Sequence, residues 1–137
     1  MQIVAGAYDA AVPDPRSDRR WPRRVYGVGE EPDPRFSFAN ERTFLAWIRT
    51  ALGFVAAGVA VAAVSSLDAR TGVEVKVAAL LLIACGLVSG AGALTQWMRN
   101  ERAMRLGAAL PSSPLLPVLT AMVVVVGLSS LVVVVVG

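Results

Sequence analysis

The chain has 137 residues, 55% of them hydrophobic and 17% charged, where a soluble domain carries about a quarter charged residues. It contains no histidine and one cysteine, which excludes the usual zinc, haem and histidine-based catalytic sites, so no cofactor or metal is expected. The formal net charge is +3, and the apolar residues concentrate after Phe44, the distribution of a membrane protein rather than of a water-soluble core.

Residues 1–35 form a charged head rich in proline. A basic cluster, Arg16, Arg19, Arg20, Arg23 and Arg24, is followed by acidic Glu30, Glu31 and Asp33. No apolar periodicity accompanies these charges, so too little surface can be buried to offset the entropy of ordering, and a disordered cytoplasmic head is expected. The arginines are not followed by an apolar stretch with a small-residue cleavage site, which argues against a signal peptide. The cluster has two readings. It is a solvated tail that fixes topology, or a juxtamembrane patch for anionic lipid or phosphate with Trp21 and Tyr26 as interfacial anchors.

Next comes Phe36-Ser-Phe-Ala-Asn-Glu-Arg-Thr-Phe-Leu-Ala-Trp-Ile-Arg-Thr50, an amphipathic lead-in to the first apolar run. On a helix, Arg42 and Arg49 are seven apart and share a face, and Glu41 stands about 100° round from Arg42. Glu41 is therefore placed to pair with a basic residue on another helix or protomer, beside a stripe of Asn40, Thr43 and Trp47. Arg49 enters the apolar run, where charge is costly unless it serves a function or snorkels to the surface.

Three apolar runs follow, about residues 44–67, 77–98 and 115–137, each near the ~20 residues that cross a bilayer as a helix. The third is rich in valine, but its length and lack of alternation favour a helix in lipid over a strand. Cys85 lies within the second run as a small buried hydrophobe. Gly86 and Gly90 form a GxxxG, and Gly53 with Ala57 forms a small-xxx-small pair, both expected to mark close helix packing. The expected architecture is all-α, with a three-span membrane domain over residues 36–137. Arginines crowd the head and the second connection (Arg99, Arg102, Arg105), whereas Arg70 and Lys76 of the first connection are offset by Asp68 and Glu74. The positive-inside rule then places the N-terminus inside and the C-terminus outside.

Two readings of the basic residues remain. In one, the arginines of an interfacial helix bind lipid phosphate. In the other, Arg35, Arg42 and Arg49 join Arg99, Arg102 and Arg105 in an electropositive cytoplasmic vestibule for an anionic, phosphate-like ligand, which suits arginine's planar fork. Glu41 has no evident catalytic companion, so an enzyme is not expected.

The run Phe38 to Leu52 resembles the defining motif of the domain-of-unknown-function 202 family, which includes bacterial YidH-like inner-membrane proteins. Gln96-Trp-Met-Arg-Asn-Glu-Arg-Ala-Met-Arg-Leu-Gly107, followed by Leu110-Pro111, resembles that family's second element. The resemblance extends from Arg35 to the C-terminus. The family includes a small membrane subunit of the eukaryotic vacuolar transporter chaperone complex, in which the Asn-Glu-Arg-Thr-Phe-Leu element helps line a basic, phosphate-conducting entrance between protomers. By position, the resemblance carries that role to Glu41 and Arg42, with Arg35 in place of an upstream basic residue. Arg49 belongs to the bacterial form of the motif.

The resulting expectation is a multi-pass protein of the bacterial inner membrane. It is a homo-oligomeric transporter, channel or accessory subunit with a basic entrance for an anionic ligand. The alternative is a membrane scaffold or partner-binding protein anchored to anionic lipid. Expected partners are membrane lipids, copies of the chain and other membrane subunits, not nucleic acid.

Overall fold

The computed structural model describes residues 19–67 and 72–136. The head through residue 18, with Arg16, lies outside the description, as do Asp68 and Arg70 of the first connection and the terminal Gly137. The described residues form four helices, α1 (Arg23–Tyr26), α2 (Pro34–Leu67), α3 (Val73–Arg105) and α4 (Leu115–Val136), and no strand.

Local chemistry sets the helix ends. The Asp33 carboxylate accepts the Arg35 backbone N–H at 2.9 Å, and Pro34 supplies a pre-set φ at the first helical position, so Asp33 caps α2. No proline interrupts the chain from there to Leu67. The expected lead-in is accordingly the first part of one continuous 34-residue helix. α3 starts with Glu74 in its first turn, where a carboxylate meets the positive end of the helix dipole. It stops at Gly107, whose φ of 61° closes a Schellman motif. There the Gly107 N–H donates to Met104 at 3.2 Å and the Ala108 N–H to Ala103 at 2.9 Å.

α2 and α3 pack as an antiparallel hairpin with a constant register. Asn40 faces Trp97, Ala51 faces Gly86, and Gly58 faces Ala79. A Cβ on Gly86 would lie 2.7 Å from the Ala51 carbonyl oxygen, and one on Gly58 2.8 Å from that of Ala79, so small residues at these two points let the backbones approach. α4 lies along α3. Leu115 meets Gly92 and packs with Leu119 on Ala93, and farther on Ala121 and Met122 share a crevice with Cys85 and Val88.

Two helices, α2 and α3, are long and apolar enough to cross a membrane, and α4 is a 22-residue apolar helix. Large apolar side chains cover the outside, with Leu52 at 61% and Leu87 at 66% exposure, the surface of a chain solvated by lipid. At 34 and 33 residues, α2 and α3 are each about 50 Å long, well beyond the ~30 Å apolar core of a bilayer. α4 begins level with Gly92, and beyond that level residues 34–44 and 93–105 continue as a two-helix stalk.

The described part of the head sits on this stalk. Val25 is 1% exposed, and Arg102 donates through Nη1 to the Arg24 carbonyl at 2.9 Å. The Glu30 N–H donates to the Arg105 carbonyl at 2.9 Å. Composition led to an expectation of disorder over residues 1–35. From Arg19 onward the structure differs, because the end of α3 offers polar partners that the head's own sequence does not contain.

Candidate functional site

The stalk is joined by a polar network. Asn40 is buried on α2 and donates through Nδ2 to the Trp97 carbonyl at 3.1 Å. It accepts from Asn100 Nδ2 at 3.1 Å, and Asn100 accepts from Gln96 Nε2 at 2.9 Å. One turn toward the N-terminus of α2, the Ser37 hydroxyl donates to Glu101 Oε1 at 3.0 Å. Glu101 also faces Arg105, one turn along α3, at 3.7 Å, and these two side chains are 4% and 3% exposed.

Arg105 ties the head to the stalk. Its Nη2 donates to Glu31 Oε1 at 3.1 Å, and its guanidinium carbon lies 4.7 Å from the Tyr26 ring centroid. Arg20 lies 4.8 Å from the same ring and grips Glu31 with both terminal nitrogens, at 2.9 and 2.7 Å. The Arg20 hydrogen bonds, with the Arg105 charge, hold the Glu31 carboxyl below the usual carboxylate range. Burial, followed by the Glu101 charge, pushes the Tyr26 phenol up. Gly29, at φ 63°, turns the head so closely under Arg105 that a side chain there would strike its carbonyl.

The six arginines expected in one vestibule therefore divide. Arg105 is buried and neutralised by two carboxylates, and Arg102 holds the Arg24 carbonyl. Arg35, Arg42, Arg49 and Arg99 are exposed and make no ion pair among the described residues. Arg35, Arg42 and Arg49 recur every seven residues on α2, so they form one stripe with a drift of about 20° per step. The α2–α3 register sets Arg42 level with Thr95, just beyond the start of α4. Arg49 is level with Val88, about one turn inside the apolar belt, where α3 carries no charge from Val77 to Met98.

The remaining motif residues take different places. Trp47 is half-buried against the Ala93–Leu115 cluster. Thr43 returns its hydroxyl to the Ala39 carbonyl of its own helix at 3.0 Å. Glu41 is exposed and makes no ion pair among the described residues. Gly86 lies at the helix contact, while Gly90 meets only the Ala51 Cβ at 3.8 Å. Gly53 has open space beside it and Ala57 is exposed; Gly58 and Ala51 occupy the contact on α2 instead. Sequence reasoning did not place Glu31, Ser37, Asn100 or Glu101. The Glu101–Arg105 spacing of four was a legible signal, but the partner contacts from Ser37 and Glu31 depend on the tertiary fold.

The family model for Domain of unknown function (DUF202) matches residues 35–103. The chain is 46% identical over 103 residues to "Inner membrane protein YidH" of Escherichia coli K12, which covers 75% of this chain and 89% of the relative. It is 44% identical over 105 residues to an uncharacterized protein of Mycobacterium tuberculosis H37Rv, covering 77% of this chain and 85% of that relative. No solved structure matches the chain. The matched region contains both the arginine stripe and most of the stalk network.

Proposed function

We propose, because this chain belongs to the DUF202 family, that it is a three-span inner-membrane protein whose copies enclose a basic path for an anionic, phosphate-like ligand. It is a membrane protein with two helices fit to span, and its relative in Escherichia coli bears the name inner membrane protein. In this reading α4 is the third span. The stalk faces the cytoplasm, as the arginines near Arg42 and Arg99 require under the positive-inside rule.

The exposed position of Arg49 carries the proposal. One turn inside the apolar belt, an unpaired guanidinium turned to lipid is costly. Covering the Arg35–Arg42–Arg49 stripe with a neighbouring copy removes it from lipid and lines a shared path with positive charge. Arginine's five donors suit phosphate oxygens. Glu41, beside Arg42 and exposed in one copy, is free to meet a cation of the next. The resemblance of this motif to the phosphate-conducting element of the vacuolar chaperone subunit supports the same role.

The experiment is anion flux into proteoliposomes with the full chain and its Arg42→Ala and Arg49→Ala variants. Flux lost while membrane insertion and assembly persist supports the reading. Insertion and flux lost together would leave the arginines a folding role. An inert, well-inserted wild type would favour lipid anchoring.

A further inference from the structure

An open groove of about 890 Å³ lies between α1, the stalk half of α2 and the end of α3. We infer that it binds an anionic phospholipid, with Arg23 and Arg24 on the phosphate and an acyl chain along Phe44, Leu45 and Leu94.

Three observations carry this. The first is place. Leu45 and Leu94 line the groove close to the level where α4 begins, the edge of the apolar belt, while α1 lies on the stalk beyond it. The second is order. The groove wall is apolar on the helix side, where Trp97 and Met98 continue from Leu94, and it is lined by Arg23 and Arg24 on the α1 side. That sequence of apolar then cationic surface matches a phospholipid entering from the bilayer. Trp21, 82% exposed at the rim, is an aromatic of the type that sits at headgroup level.

The third is charge. Arg23 and Arg24 are exposed, and neither side chain makes an ion pair among the described residues. Glu41 is the acidic residue on the wall, so the groove retains a net positive charge that favours an anionic headgroup over a zwitterionic one. The arginines are also fixed in place rather than carried on a loose tail, since Arg102 holds the Arg24 carbonyl and Pro22 and Val25 are buried.

This inference rests on the reading of the helices as membrane spans but not on the arginine stripe. The test is native mass spectrometry of the purified full chain, titrated in detergent with phosphatidylglycerol or with phosphatidylcholine of the same acyl chains. Phosphatidylglycerol should bind about tenfold more tightly. The double variant Arg23→Gln/Arg24→Gln should lose that preference with an unchanged lipid-free melting temperature, because the bond from Arg102 is to the Arg24 backbone. Arg42→Gln/Arg49→Gln should keep the preference. Wild-type protein without a preference, an Arg23→Gln/Arg24→Gln variant that retains it, or loss in Arg42→Gln/Arg49→Gln alone would overturn the site. So would inorganic phosphate displacing the lipid as readily as phosphatidylglycerol, or a second copy of the chain occupying the groove and excluding lipid. Flux measured on the two double variants separates failure of this site from failure of the path.

Discussion

Asn40 on α2 and Trp97 on α3 are joined by a side-chain-to-carbonyl hydrogen bond of 3.1 Å, and this bond fixes how α2 is turned. With Asn40 held toward α3, Arg42 and Arg49 are carried to the outer surface. Asn40→Leu keeps the branched heavy-atom shape but removes the bonds to Trp97 and Asn100 and leaves the Asn100 amide short of a partner. We expect a loss of about 1–3 kcal/mol, measured by reversible unfolding in mixed micelles. No loss would mean that packing alone sets the rotation.

Helix contact makes a second, contrasting pair. Gly86→Ala drives a Cβ to within 2.7 Å of the Ala51 carbonyl oxygen and 3.0 Å of the Val55 nitrogen. Both are backbone atoms that cannot swing aside, so the variant should lose about 1–3 kcal/mol. Gly53→Ala, with open space around it, should be neutral or gain up to about 1 kcal/mol from helix propensity. The same unfolding assay ranks the two, and equal losses would contradict the packing described here.

The hold of Arg105 on the head predicts a pH window. The native Glu31 pKa is depressed, so its contribution is present above the ordinary value of 4.5 and is lost as pH falls through the lowered native value. The native Tyr26 pKa is raised, so its contribution is present below 10.0 and is lost as pH rises through the raised native value. Protease cleavage between Arg23 and Asp33 should accelerate on both sides of the plateau. Glu31→Gln should remove the acid limb only, and an unchanged limb would show that Glu31 does not secure the head.

Breaking the buried pair should cost more than replacing it. Arg105→Ala leaves Glu101 buried without its cation and should destabilise the stalk by about 3–5 kcal/mol. The joint replacement Glu101→Leu/Arg105→Met should recover most of that loss. Thermal melts of the three proteins decide this, and a double variant as unstable as the single one would show that the charges themselves are required.

Much of this architecture was legible in the residues. The three apolar runs became α2, α3 and α4, as their length and lack of alternation suggested. The valines of α4 did not turn it into a strand: it is one 22-residue helix. The start of α2 was misjudged since a cap acts locally: Asp33 and Pro34 begin the helix well before the apolar run does. The arginines could not be sorted by sequence. Arg102 and Arg105 are three apart and similar in context, yet one holds a carbonyl and the other is buried between Glu31 and Glu101. Tertiary placement of the head, more than sixty residues away in the chain, decides between them. The head itself was read as disordered because the contacts that dock it, to Arg102 and Arg105, belong to α3.

Whether copies of the chain cover the arginine stripe is decided by cryo-electron microscopy of the protein in lipid nanodiscs. A closed ring is expected, in which Arg42 and Arg49 of every copy point to a shared axis. A monomer, or a dimer with Arg42 and Arg49 turned toward lipid headgroups, would contradict it.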